Sequence, residues 1–147
     1  MAQKSFTCKL VTPTASLVDD PVTYASVPAW DGLFGVLPGR APILARLGSG
    51  ELRLEFADTG KGAGGSRSFF VDGGFVQMAG GTLTVLAERA TPSEQLTEAD
   101  AESQLRAAMS KSVPANATDR GLAQTELDRE RRAARAKLTL ARGRKSI

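Results

Sequence analysis

The chain has 147 residues, of which 41 % are hydrophobic and 24 % charged, which suits one ordinary domain or a small domain with a helical extension. It contains no histidine, which excludes imidazole acid–base catalysis and His-ligated metal sites. Its single cysteine, Cys8, excludes an internal disulfide and a zinc-type cysteine cluster, and its alternating apolar neighbours predict a buried strand position.

The first part of the chain has the pattern of an all-β domain. Of the 15 glycines, 13 fall at or before Gly81, and five of the seven prolines fall at or before Pro42, as expected for many tight turns. Side chains alternate in Glu51–Phe56, and the runs on either side of Gly80-Gly81 predict a hairpin. We expect about eight to ten short strands arranged as a sandwich or a flattened barrel.

The segment from Val27 to Leu44 predicts a strand, a turn, a short strand and a rigid Pro-Gly turn. Its tip carries Trp30, Leu33 and Phe34, which is more apolar surface than a solvated loop needs. Exposed apolar residues on a loop indicate an interface. The alternative is that all three side chains fold back into the core.

A glycine-rich run, Gly60–Gly65, formally matches the G-x-G-x-x-G pattern of dinucleotide-binding proteins. That pattern binds pyrophosphate only when a helix follows directly. Here Ser66–Val71 follows, and its composition predicts a strand. We therefore interpret the run as a hairpin loop.

After Thr91-Pro92 the composition changes to good helix formers. Thr97 can cap a first helix, and Asn116 or Thr118 can cap a second helix that spans roughly residues 119 to 142. Apolar stripes on both helices predict an antiparallel hairpin. The expected domains are therefore residues 1–90 and 91–147. From residue 119 onwards the chain carries nine Lys/Arg against four Asp/Glu.

Three segments resemble one protein family. The run Asp31–Pro42, DGLFGVLPGRAP, closely resembles the EGEFGVLPGHAP segment of F-type ATP synthase epsilon subunits. Phe70–Val76 is similar to the SGGFVEV strand of that family, and Thr82–Ala87 to its VTVLAD segment. The spacing of the three segments agrees, as does the two-helix tail. Two positions differ from the usual family pattern, because Arg40 replaces a histidine and Leu33 an acidic residue.

The resemblance implies an α+β protein, with an N-terminal flattened ten-stranded β-sandwich followed by a C-terminal antiparallel two-helix hairpin. It implies a non-catalytic central-stalk subunit of the proton-translocating synthase that couples ion flow to ATP synthesis and inhibits ATP hydrolysis. The implied partners are the gamma subunit, the c-ring, and the alpha and beta subunits of the catalytic head. No cofactor is expected, since the position of an ATP-binding motif in some members reads Leu96–Ala101 here and lacks its Asp and Arg.

The resemblance also assigns residues to these roles. The expected contact with the c-ring and gamma involves Trp30, Asp31, Leu33, Phe34 and Arg40. The second helix is expected to act through a basic band, defined as Arg129, Arg131, Arg132, Arg135 and Lys137, that faces acidic segments of the catalytic subunits. The alternative is that these residues only keep an exposed helix soluble.

Two further expectations concern partners and location. The alternative function is a β-domain adaptor whose basic helical tail binds nucleic acid through phosphate neutralisation. Neither a signal-peptide core nor a membrane-spanning apolar run is evident in the sequence. We therefore expect a peripheral protein on the cytoplasmic face of the bacterial cell membrane.

Overall fold

The structure, a computed structural model, describes residues 4–57, 65–116 and 118–143. The chain divides between Pro92 and Ser93 into two compact units, a β unit and a helical unit, so the division lies two residues beyond the predicted boundary at residue 90. The elements are β1 (Phe6–Thr12), β2 (Ala15–Ala29), β3 (Gly32–Val36), β4 (Ile43–Arg46), β5 (Ser49–Phe56), β6 (Ser66–Ala79), β7 (Thr82–Pro92), a short 3-10 helix (Ser93–Gln95), α1 (Glu98–Ser110) and α2 (Arg120–Gly143).

The β unit is a closed, flattened sandwich. Its strands pair in the order β1-β7-β6-β5-β2, and β2 pairs back to β1. Strand β3 adds to β2 and strand β4 adds to β6. The β1–β7 pair is parallel, whereas the other pairs are antiparallel. The prediction of a β-sandwich followed by two helices is confirmed.

The strand count differs from the expected ten, because the described residues form seven strands. Three of them are long, with 15, 14 and 11 residues in β2, β6 and β7. Strand β6 pairs with β5 as far as Asp72 and with β4 from Phe75 onwards. Its Gly73 and Gly74 have positive φ and bend the strand without ending it. The glycine signals that the sequence count took as turns are therefore partly bends within continuous strands.

One apolar core fills the sandwich. Every strand except β4 contributes fully buried side chains, among them Leu10, Val27, Leu52, Phe69 and Leu83. Cys8 belongs to this core, as predicted, and it pairs with Asp20 of β2. Burial, and to a smaller extent the Asp20 carboxylate, raise the pKa of the Cys8 thiol to about 12. The thiol is therefore a neutral packing group and not a nucleophile.

The β6–β7 hairpin turns where the sequence predicted. Gly80 and Gly81 have φ of +57° and +78°, and Ala79 pairs with Thr82 across the turn. Two consecutive positive φ angles define the tight turn that glycines accept without strain.

The glycine-rich run beginning at Gly60 lies outside the described residues up to position 64. The described residues on either side belong to strands, because Phe56 N–H donates to Gly65 O at 2.7 Å and β6 begins at Ser66. A strand therefore follows the run, as predicted, and the helix that a dinucleotide site needs is missing from this position.

The N-terminal cap of α1 is the predicted residue, whereas that of α2 is a different one. Thr97 caps α1, since its Oγ1 accepts from the Asp100 N–H at 3.3 Å. Helix α2 is capped by Asp119, whose Oδ1 accepts from the Leu122 N–H at 2.9 Å, and not by Asn116 or Thr118. A carboxylate at this position also interacts favourably with the positive end of the helix dipole.

We expect a chain of residues 1–92 to fold cooperatively without the helices. The core described above is formed by strands alone, and β7 pairs with β6 as far as the Phe69–Pro92 pair. Thermal unfolding followed by circular dichroism would test this. A chain ending at Thr84, which lacks most of β7, serves as the unfolded control. A non-cooperative transition for residues 1–92 would show that the helices belong to the same folding unit.

Candidate functional site

The β2–β3 hairpin presents an apolar tip, here called the β2–β3 tip and defined as Trp30, Asp31, Gly32 and Leu33. Ala29 pairs with Gly32 and Pro28 with Leu33, so Trp30 and Asp31 form the turn. Gly32 has φ of +137°, which favours glycine. The exposed fractions of Trp30 and Leu33 are 67 % and 71 %. Large apolar side chains this exposed on a tight turn indicate a contact surface.

Phe34 is not part of this exposed surface. It is half-buried and packs against the β core, although the sequence predicted that it would project with Trp30 and Leu33. Successive side chains of a strand point to opposite faces. Because Val36 is fully buried, Phe34 lies on the core face of β3 and Leu33 on the outer face.

The Pro-Gly turn after β3 forms as predicted. Arg40 N–H donates to Leu37 O at 3.1 Å, and Gly39 has φ of +85°. Proline in the second position and a positive-φ glycine in the third are typical of a type II turn. Arg40 is exposed at the end of this turn. Leu37, which the sequence analysis did not select, is also exposed, at 60 %.

A second apolar surface covers the outer face of β4, β6 and β7. This outer-sheet patch is defined as Leu44, Phe75 and Leu86, whose exposed fractions are 71 %, 53 % and 52 %. Phe75 pairs directly with Leu86, and on its other side with Arg46 of β4. This surface was not predicted from the sequence. The sequence feature that could have revealed it is that Phe75 and Leu86 alternate with the buried positions of their strands and so lie on the opposite face.

The buried positions in question are Val76, Met78, Val85 and Ala87. Strands β6 and β7 therefore each carry one large apolar residue on the outer face, beside polar residues such as Gln77 and Thr84, whereas a strand face that meets water is usually polar. A partner that covers the outer face would account for this composition.

The basic band of α2 does not form one surface. Arg131 is half-buried, and its Nη2 donates to Lys111 O at 2.7 Å. Lys137 Nζ donates to Gln104 Oε1 at 3.0 Å, and Arg135 Nη2 lies 3.4 Å from Met109 Sδ. These three cations therefore contact α1, although Arg135 is exposed, as are Arg129 and Arg132.

Metal-binding clusters and membrane-spanning helices are both absent from the described residues. Within them, no group of three or more His, Cys, Asp or Glu side chains could hold a metal ion. None of the helices found there is long and apolar enough to cross a membrane.

The fold and these surfaces define a protein that works through contacts with other chains. The model of the family "ATP synthase, Delta/Epsilon chain, beta-sandwich domain" matches residues 5–93, which include the β2–β3 tip and the outer-sheet patch. The chain belongs to this family.

Curated relatives agree with this assignment. The ATP synthase epsilon chain of Rhodopirellula baltica is 37 % identical over 71 % of this chain and 77 % of its own length. That of Jannaschia sp. is 39 % identical over 60 % of this chain and 62 % of its own length. The epsilon chain of Synechococcus sp. is 34 % identical over 86 % of this chain and 92 % of its own length. These matches confirm the family that the sequence motifs predicted, and they give the nucleic-acid alternative no support.

Solved structures share the fold. A chain in the mitochondrial ATP synthase of Euglena gracilis superposes with a TM-score of 0.72 at 18 % identity, covering 94 % of this chain and 84 % of that one. A chain in the central stalk and c-ring of the Tetrahymena thermophila mitochondrial ATP synthase gives a TM-score of 0.65 at 14 % identity, with 96 % and 99 % covered.

Proposed function

We propose that this chain works as a non-catalytic central-stalk subunit of a bacterial F-type ATP synthase. It couples ion flow to ATP synthesis and restrains ATP hydrolysis, while other subunits carry the chemistry. The single observation that carries this proposal is the pair of exposed apolar surfaces on the β unit, both within the residues that the family model matches. The bacterial relatives support a place on the cytoplasmic face of the cell membrane, reached through partner subunits.

The β2–β3 tip is the proposed contact with the c-ring. Trp30 and Leu33 supply an apolar area on a rigid turn, and Asp31 supplies one charge beside it. Phe34 anchors the turn to the core rather than contacting the partner. Because the Leu33 side chain is 71 % exposed, the partner surface must be apolar enough to cover it. Arg40, exposed at the next turn, is the proposed polar neighbour of this contact.

The outer-sheet patch is the proposed contact with the gamma subunit. The exposed face of β4, β6 and β7 presents two directly paired apolar residues, Phe75 and Leu86, with Leu44 alongside. Covering one large apolar side chain stabilises a complex by about 1.5–3 kcal/mol. Three such residues on a rigid sheet can form the centre of a stable interface.

The assignment of the outer-sheet patch to gamma and of the β2–β3 tip to the c-ring is tested by making the same Leu→Asp substitution on each surface. We expect Leu86→Asp to weaken binding of the purified chain to purified gamma by at least about tenfold, which is about 1.4 kcal/mol. Leu33→Asp makes the same change on a leucine that is more exposed, at 71 % against 52 %, and should leave gamma binding unchanged. Binding is measured by titration, and circular dichroism confirms that both variants are folded. Equal binding by both variants would remove the outer-sheet patch from the gamma interface.

Regulation of hydrolysis is assigned to α2. The basic band is the proposed contact for acidic surfaces of the alpha and beta subunits, and the side chains of Arg129, Arg132 and Arg135 are its exposed members. Isolated exposed ion pairs contribute only about 0–1 kcal/mol each, so several must act together.

A further inference from the structure

Helix α1 has a weak apolar interface. Its buried residues are Ala101 and Ala108, each of which contributes a single methyl group. Leu105 is half-buried, and Met109 is exposed at 47 %. An isolated helix of 13 residues is only marginally stable in water, so α1 depends on contacts with the rest of the chain.

Polar contacts also connect the two helices. At the open end of the hairpin, Arg142 donates from Nε to Glu98 at 3.2 Å and from Nη2 to Glu102 at 3.1 Å. These hydrogen bonds, to Glu102 and then to Glu98, raise the pKa of the Arg142 guanidinium. Lys137 bonds Gln104 in the middle of the helices.

At the closed end, Lys111 Nζ lies 2.6 Å from Glu130 Oε1. The contacts therefore run along the length of α1 on the side that faces α2.

The end of α1 lacks the glycine motif that commonly satisfies helix carbonyl groups, although Ser110 Oγ donates to Ala107 O at 2.9 Å. The last four carbonyls of a helix have no partner within the helix, and a glycine in the left-handed conformation often provides one. Here the residue after the helix is Lys111, with φ of −75° and ψ of 145°, so that motif is missing. The last turn of α1 also contains no basic residue that would interact with the negative end of the helix dipole.

Arg131 of α2 occupies this position. Its Nε donates to Ala108 O at 3.1 Å and its Nη2 to Lys111 O at 2.7 Å. Ala108 provides one of the last four carbonyls of α1, and Lys111 follows the helix directly. The planar guanidinium offers two donors in a fixed geometry, which suits two neighbouring carbonyls, and its charge complements the helix dipole.

We propose that Arg131 is a C-terminal cap for α1 supplied by α2, and that it latches the helical hairpin closed. Arg131, Lys137 and Arg142 are consequently engaged within the hairpin and are not available to an acidic partner while it is closed. The claim that these cations are withheld from an acidic partner rests on the proposed regulatory function, whereas the claim that Arg131 latches the hairpin does not. Hairpin closure and partner binding thus compete for the same cations.

The test is hydrogen exchange of the full chain, followed by mass spectrometry of peptides that cover residues 104–113. Arg131→Met should speed exchange of these amides by at least about tenfold, because it removes two charge-assisted hydrogen bonds and the loss of one such bond already has about that effect. Arg131→Lys keeps the charge but not the two-donor geometry, so it should also speed exchange. Arg132→Met, one residue along and exposed, is the matched control and should leave exchange unchanged.

Two results would overturn the latch. One is an Arg131→Met variant that exchanges like Arg132→Met. The other is an Arg131→Lys variant that exchanges like the unsubstituted chain, since the charge alone would then suffice. If Arg131→Met unfolds both helices, the exchange rate of the Arg131→Lys variant decides whether the latch is correct. The measurement needs no other synthase subunit, so its failure would leave the proposed stalk function untouched.

Discussion

Replacing Trp30 and Leu33 together with aspartate is expected to uncouple ATP hydrolysis from ion pumping. The two side chains provide the exposed apolar area of the β2–β3 tip, and each is worth about 1.5–3 kcal/mol when covered by a partner. Two new charges would also have to be desolvated at the interface. We expect the pumping rate per ATP hydrolysed to fall to less than about a tenth of its normal value, because the loss exceeds about 1.4 kcal/mol. The measurement is ATP-driven ion pumping in reconstituted vesicles.

The control replaces Trp30 with Phe and Leu33 with Met, which keeps the tip apolar and should keep the enzyme coupled. Phe34 is left intact in both variants, because it packs against the core and a charge there would disturb the fold. Gamma binding, measured for each variant, shows that the subunit is incorporated. Normal pumping by an incorporated aspartate variant would exclude the β2–β3 tip from the c-ring contact.

Replacing Gly74 with alanine is expected to lower the free energy of unfolding by at least about 3 kcal/mol. Gly74 has φ of +110°, a conformation that side chains with a Cβ rarely adopt. A Cβ at this position would lie 1.9 Å from Leu86 O and 3.0 Å from the Ala87 Cα. Both atoms belong to the backbone of β7, so relief requires the β6–β7 pair to separate locally.

The matched control is Gly80→Ala in the β6–β7 turn. Gly80 also has positive φ, at +57°, but a Cβ there would meet nothing within 4 Å. Gly80→Ala should therefore lower the free energy of unfolding by only about 1 kcal/mol, the cost of placing a Cβ at a positive φ. Urea unfolding followed by circular dichroism compares the two variants. A Gly74 variant no less stable than the Gly80 variant would show that the strands can part there at little cost.

Much of the fold could be predicted because its signals are local. The two φ-positive glycines of the β6–β7 turn, the Pro38-Gly39 turn and the Thr97 cap each depend on a few adjacent residues. The start of α2 shows the limit, since three polar residues within four positions could cap it and the fold uses Asp119. The described residues form fewer strands than expected, because a Gly-Gly pair such as Gly73-Gly74 can mark either a turn or a bend inside one long strand.

The candidate site was predicted in part. The sequence selected the β2–β3 tip correctly as an apolar hairpin turn, but it could not separate Leu33 from Phe34, which differ only in the face of β3 they occupy. It missed the outer-sheet patch, because Leu44, Phe75 and Leu86 come from three strands and meet only through strand pairing. It also treated the cations of α2 as one band.

By itself the sequence determined the family, the order of a β unit and a helical hairpin, and most turns, because composition, alternation and short motifs report on neighbours along the chain. The tertiary structure alone decided which apolar residues remain exposed and which basic residues are already engaged. Both depend on contacts between residues far apart in sequence, such as Arg131 with Ala108 and Phe75 with Leu86. Such contacts are set by strand register and helix packing, which no local pattern encodes.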